Sequence, residues 1–308
     1  MEVKIRFKLT KNFHPKFGTL HFGKYQIEPI PSSTSPFDTS SEQYILTFSD
    51  EMKNSEILSN PLQEGLYFLW LLSLSIGSKV EILSSMINSV NSKTNLQKNT
   101  DIDYHGTVEK LPDINGLLEK INTQSFTTIK QVLRAIDVFN NGLNIMGTND
   151  TLCFFLMTVS IECLSNIHGN GKGKCDKFID FILKNYPNEE KTEQELLKEL
   201  LKEIYYNHRS GFTHGGRGIP NTYLLADRMN RIYVANFIDG KEIKTPGLRW
   251  FSMLVRKTLL NFLISLSEDN PEGNNLKKMS LVDTSATLKI KNDKLKNQII
   301  TTEDIIAD

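Results

Sequence analysis

The sequence predicts an α+β chain in which a β-containing N-terminal region precedes an all-α bundle. Val3, Ile5, Phe7 and Leu9 alternate with Lys4, Arg6 and Lys8, the period of a half-buried strand. From Ile114 onward apolar residues recur three and four apart, the period of a helix face. Between them Asn88–Tyr104 is polar and aperiodic, and reads as an inter-domain linker or a long surface loop. The expected division is a β-rich domain over 1–105, a helical domain over 106–270 and a polar, lysine-rich tail over 271–308.

After the first strand, short β runs are expected at Thr19–Phe22, Tyr25–Ile30 and Tyr44–Phe48, separated by Gly, Pro and Ser clusters. Asn60-Pro61 opens a helix at about 61–76, its apolar surface interrupted by Ser73 and Ser75. In the helical domain, Ile129, Val132, Leu133, Ile136 and Phe139 form a stripe that Gly142 is expected to end. Thr151–Ile167 is strongly apolar, and Glu162 is its one charged residue. A buried acid needs a partner, so Glu162 reads either as a rim position or as the structural partner of a basic group. Gly169–Lys174 lacks the GxxxxGK[ST] spacing and follows a helix rather than a strand, so it reads as a turn. A further helix is expected over Cys175–Tyr186. Thr192, with Glu195 three residues on, is a candidate cap for the next. Leu197, Leu200, Leu201, Ile204 and Tyr205 give that helix its stripe and lead into Arg209. A mixed region runs from Pro220 to Gly247, and Trp250–Leu266 is the last apolar helix. In the tail, Thr287–Lys291 has the pattern of a short strand.

Charge argues against a general polyanion binder: 36 basic residues balance 36 acidic ones. The balance is local only in part, because Leu201–Asn261 carries ten Lys/Arg against four Asp/Glu. That excess is either a solvated surface or a field that draws in phosphate. Cys153, Cys163 and Cys175 have no metal-ligand spacing and fit a reducing compartment. The Leu66–Ile76 run is well short of the roughly 20 residues a membrane helix needs. A cytoplasmic location with no membrane partner is the expectation.

The segment Asn207–Gly216 holds the one compact set of groups suited to phosphate chemistry. Arg209 offers a planar fork to phosphate oxygens, and His214, five residues on, is the residue type most easily poised for proton exchange. On an ideal helix five residues leave a net offset of about 140 degrees, so the pair suits a helix end or a groove shared by two copies. Gly215-Gly216 favour termination near His214. Ser210 and Arg217 are candidates to bind the phosphate by donating hydrogen bonds to it. His208 is a candidate to share proton transfer, or an exposed helix residue. The chemistry that suits this pair needs no metal or other cofactor. Arginine neutralises the phosphate, and histidine acts as base toward an RNA 2′-hydroxyl or as acid toward the leaving 5′-oxygen.

The run Tyr205–Gly215, with Arg209, Ser210 and His214 in an Rx4H spacing, resembles the signature of HEPN-domain proteins, especially the ApeA-like branch. Glu162 in the upstream apolar helix matches the acid often seen in that family's first core helix, and Arg134-Ala135-Ile136 with Phe139 looks like the helix before that core. The resemblance covers about Phe126–Leu266. It implies a helical domain that dimerises across the motif helices, and metal-independent endoribonucleolysis in antiphage defence, abortive infection or a toxin–antitoxin system. The implied partners are RNA, a second copy of the chain, and an antitoxin or phage-derived trigger. Members that have lost catalysis imply the competing expectation of an RNA- or protein-binding scaffold. A sequence-specific DNA binder is disfavoured, because no helix-turn-helix pattern is evident.

Overall fold

The strand period at the N-terminus is realised as a five-stranded antiparallel sheet. The computed structural model describes residues 2–9, 14–15, 19–30, 43–49, 61–88, 101–104, 107–110, 112–186, 191–215, 219, 222–229, 231–238 and 241–266. Its strands are β1 (Glu2–Leu9), β2 (His14–Pro15), β3 (Leu20–Phe22), β4 (Tyr25–Ile30) and β5 (Gln43–Ser49). Helix α1 (Pro61–Ile76) and β6 (Val80–Asn88) follow. The sheet order is β3-β4-β5-β1-β6. Val3, Ile5 and Phe7 face Phe48, Leu46 and Tyr44 across the β1–β5 ladder, and all six are buried. Gly23, at φ +60°, makes the tight turn that returns β3 onto β4.

Helix α1 covers one face of this sheet. Phe68 stacks on Tyr25 at 4.2 Å and meets Phe22 edge-on at 5.6 Å. Burying an aromatic side chain of this kind contributes about 2–3 kcal/mol. Gly65 permits the close approach, because a Cβ there would stand 2.5 Å from Ile5 Cδ1. The two serines that interrupt α1 are satisfied internally, Ser73 Oγ donating to the Ser78 carbonyl and Ser75 Oγ to that of Leu71, both at 2.7 Å.

Strand β6 was not evident in the sequence, and the reason is physical. Its ladder with β1 slips at Arg6/Phe7, where Ser84 and Ile82 become successive partners and Leu83 is left over. This bulge breaks the two-residue period that would reveal a strand. On this edge strand Ile82, Leu83, Met86 and Ile87 are exposed. The expected linker is also partly strand. β7 (Asp101–Tyr104) and β8 (Thr107–Lys110) form a hairpin that joins β2 in a three-stranded sheet. Residues 89–100 lie outside the described residues, as do the tail and its Thr287–Lys291 run.

Beyond β8 the chain is mostly helical: α2 (Ile114–Asn122), α3 (Phe126–Ile145), α4 (Asp150–His168), α5 (Lys174–Asn185) and α6 (Lys191–Glu203). A π-helical turn (Ile204–Arg209), α7 (Ser210–Gly215), α8 (Thr222–Arg228) and α9 (Leu248–Ser265) complete it. Gly142 does not end α3. It is buried within the helix, and the stop comes after Ile145, with Gly147 at φ +85°. Asn149 then caps α4 by accepting the Leu152 N–H at 3.0 Å. Thr192 is not the cap that was expected, because α6 already starts at Lys191 and Thr192 is its second residue. The all-α expectation is corrected by a hairpin, β9 (Tyr233–Ile238) with β10 (Lys241–Pro246), inside the mixed region.

An N-terminal β-sheet region is thus followed by a mostly helical bundle. By internal contacts the chain divides into Met1–Asn144 and Ile145–Phe262, with the end of α9 from Leu263 grouped with the first. In the second unit Phe154 of α4 stacks on Phe251 of α9 at 4.4 Å, and Phe181 of α5 meets Phe262 at 5.2 Å. Helix α4 is long and apolar enough by composition to cross a membrane, and half of its apolar window is buried within the fold.

Candidate functional site

The Arg/His segment lies on a continuous helical rod that changes pitch midway. Helix α6 buries Leu197, Leu200 and Leu201, as its stripe requires. Over Ile204–Arg209 the turn widens, and the Ser210 N–H donates to the Tyr205 carbonyl five residues back. Such π turns accommodate one extra residue and frequently mark functional sites. Ile204, Tyr205 and His208 are buried by it, and the Arg209 side chain is left 19% exposed. Helix α7 resumes the α pitch and ends at Gly215, the first of the glycine pair that favours a stop.

Arg209 is held from α4. Its Nη2 donates to Glu162 Oε2 at 3.1 Å, and the Glu162 side chain is 11% exposed. Tyr205 completes the group: its ring centre lies 5.6 Å from Arg209 Cζ, and its hydroxyl faces the Glu162 carboxylate. Burial and the adjacent carboxylate push the Tyr205 phenol well above its ordinary range, so it remains a neutral donor. Arg209 Nε is buried without a hydrogen-bond partner.

His214 occupies the last turn of α7 and is exposed. Ser210 and Gly211, between the two, are half-buried. Phe212 anchors the segment to α4, its ring 4.9 Å from that of Phe155. Thr213 Oγ1 donates to the Arg209 carbonyl at 2.8 Å and tightens α7. The main chain beyond the motif returns to α4, where the Ile219 N–H meets Thr151 Oγ1 at 3.2 Å. Arg217 lies outside the described residues.

His208 is not the exposed helix residue that was one of its two expected readings. Its ring is buried, edge-on to Phe154 at 5.6 Å, with Nε2 3.5 Å from the Lys244 carbonyl of β10. Burial holds its pKa below the ordinary histidine range, against the smaller opposing pulls of the Lys244 carbonyl and Glu203. Lys244 in turn bonds Glu199 of α6 at 3.1 Å and lies 5.7 Å from the Tyr233 ring centre. The hairpin therefore braces the rod through Lys244 of β10. Sequence reasoning missed this brace, although Asp239-Gly240 between the two strand runs is a hairpin signal that could have found it. It missed Tyr205 as well, which reads as one more member of the α6 stripe.

No family model, curated protein or solved structure matches the chain.

The arrangement offers a half-buried guanidinium fixed by a carboxylate and an aromatic face, followed by an exposed imidazole on the same rod. Of guanidinium's five N–H donors, Glu162 takes one through Nη2, which leaves donors for a phosphate at the solvent edge. Among the described residues no group of three or more His, Cys, Asp or Glu could hold a metal.

Proposed function

We propose that this chain is a metal-independent endoribonuclease of the HEPN type, with Arg209 and His214 as its catalytic residues. The supporting observation is the Arg209–Glu162 pair: the guanidinium is fixed in direction at 3.1 Å and keeps a solvent edge, with an exposed imidazole five residues further on. In the proposed reaction His214 removes the proton from an RNA 2′-hydroxyl. The 2′-oxygen attacks the adjacent phosphorus, and the bond to the 5′-oxygen breaks. That oxygen leaves with a proton, giving a 2′,3′-cyclic phosphate end and a 5′-hydroxyl end. Arg209 meets the charge that grows on the phosphate oxygens. DNA lacks the nucleophile and is spared. Ser210 and Arg217 are assigned to the phosphate, and His208, being buried, to packing.

Two copies pairing along the motif rods would supply one histidine as base and the other as acid, so a homodimer belongs to this reading. The N-terminal sheet region is assigned to the trigger, an antitoxin or a phage product, and the setting to cytoplasmic antiphage defence. The test is cleavage of RNA in EDTA by the full chain. Activity lost in both Arg209→Ala and His214→Ala, with folding kept, supports the proposal. Wild-type protein inactive on diverse RNAs, with the cellular trigger present, defeats it.

A second reading, a non-catalytic RNA- or protein-binding scaffold, draws on the same pair. An arginine only 19% exposed and bonded to a buried acid is also what a structural brace requires. RNA binding without cleavage would favour it.

A further inference from the structure

We infer that Tyr205 is a positioning residue for Arg209, its ring supporting the guanidinium and its hydroxyl fixing the carboxylate that holds it. The catalytic consequence rests on the ribonuclease reading; the geometry does not. Arg209 Cζ stands 5.6 Å from the Tyr205 ring centre, within the roughly 6 Å range of cation–π attraction. The hydroxyl faces Glu162, the same carboxylate that receives Arg209 Nη2 at 3.1 Å, so three side chains from two helical segments close on one another. Tyr205 cannot swing away freely, because it is 6% exposed and its ring meets Phe178 of α5 at 5.4 Å. The main chain ties it in as well: the Tyr205 carbonyl receives the N–H of Ser210, the residue directly after Arg209.

Arg209 Nε is buried and unpartnered. The alignment of the guanidinium is therefore carried by the Glu162 carboxylate and the Tyr205 face. Without the hydroxyl, Glu162 keeps Arg209 Nη2 as its partner but loses the polar group on its other side. Without the ring, the cation loses its support as well. A misplacement of about 1 Å at a reacting group costs roughly a hundredfold in rate, and the loss falls on the transition state. The expected signature is a fall in kcat with little change in KM.

Two readouts on the full chain test this. The first is the Arg209 Nε–H resonance in 15N-labelled protein, assigned with Arg209→Lys. The second is cleavage of an RNA oligonucleotide. Tyr205→Phe is expected to shift the resonance and lower kcat about tenfold at unchanged KM. Tyr205→Leu is expected to broaden the resonance and lower kcat about a hundredfold. If Tyr205→Leu fails to fold, Tyr205→Phe decides alone. A resonance unmoved in Tyr205→Phe overturns the inference, whatever the activity, and so does an unmoved kcat in an active protein. An inactive wild type whose resonance still moves in Tyr205→Phe defeats the ribonuclease reading and supports the positioning.

Discussion

Glu162 and Arg209 stand 47 residues apart in the chain, and their side chains meet at 3.1 Å in a half-buried setting. The pair ties α4 to the motif rod. Removing one member of such a pair leaves the other partly desolvated and uncompensated, which costs more than the pair contributes net. Glu162→Ala is expected to lower stability by about 2–3 kcal/mol in urea unfolding. The double variant Glu162→Leu with Arg209→Met is expected to lose less than that single change. A double variant that loses the sum of the two single losses would show that the two groups do not interact.

Acid should weaken the fold through His208. Its pKa in the folded chain is lowered by burial, so the unfolded chain takes up the proton first, near pH 6.5. Stability from this residue is whole above that pH. It falls as pH drops from about 6.5 toward the folded-state value, below which the loss is complete. His168 acts in the same direction, lowered by burial and by Lys184. The urea midpoint of wild type should therefore fall between pH 7.5 and 5.5. His208→Gln, which keeps a donor for the Lys244 carbonyl, should show a shallower fall. Equal slopes in the two proteins would count against a buried neutral His208.

Cys153 should be chemically silent in the folded protein. Burial, with the Asp150 carboxylate adding to it, pushes its thiol up to about 12, so little thiolate forms at pH 8. Burial also raises the Cys175 thiol, against a smaller pull from the neighbouring Tyr206 hydroxyl. Iodoacetamide at pH 8 should leave Cys153 unmodified in native protein and label it in urea, read by mass spectrometry of peptides. Native labelling at the rate of a free thiol would mean that α4 opens there.

The sequence exposed what period and turn chemistry encode. The Val3–Leu9 alternation, the α3 and α4 stripes and the motif rod all appear in the fold, and the unusual acid of α4 proved to pair with Arg209. Features without a period escaped. β6 was hidden because its bulge at Leu83 shifts the apolar phase by one residue. The β9–β10 hairpin went unread although Asp239-Gly240, the dipeptide that separates its strands in the sequence, is a strong hairpin signal; the run Tyr233–Ile238, apolar but for Asn236, masks the alternation. The π turn left no trace either, since one extra residue per turn blurs a stripe without erasing it. His208 is the instructive case: its type suggested chemistry, but its place on the Leu200–Ile204 side of the rod turned it into the core.

Comparing stability with activity at His214 and Arg209 separates a catalytic motif from a structural one. His214 is exposed, so His214→Ala should change stability by less than about 0.5 kcal/mol. Arg209→Ala strands Glu162 and removes the cation from the Tyr205 face, so it should destabilise measurably. Arg209→Lys keeps a charge for Glu162 but loses the planar fork, and should recover much of the stability and little of the cleavage. On the ribonuclease reading, His214→Ala is as inactive as Arg209→Ala although its fold is as stable as wild type. The scaffold reading predicts another pattern, in which function follows stability: Arg209→Ala impaired, Arg209→Lys restored and His214→Ala unaffected. Urea unfolding alongside cleavage and RNA binding, on all three variants, decides between the two.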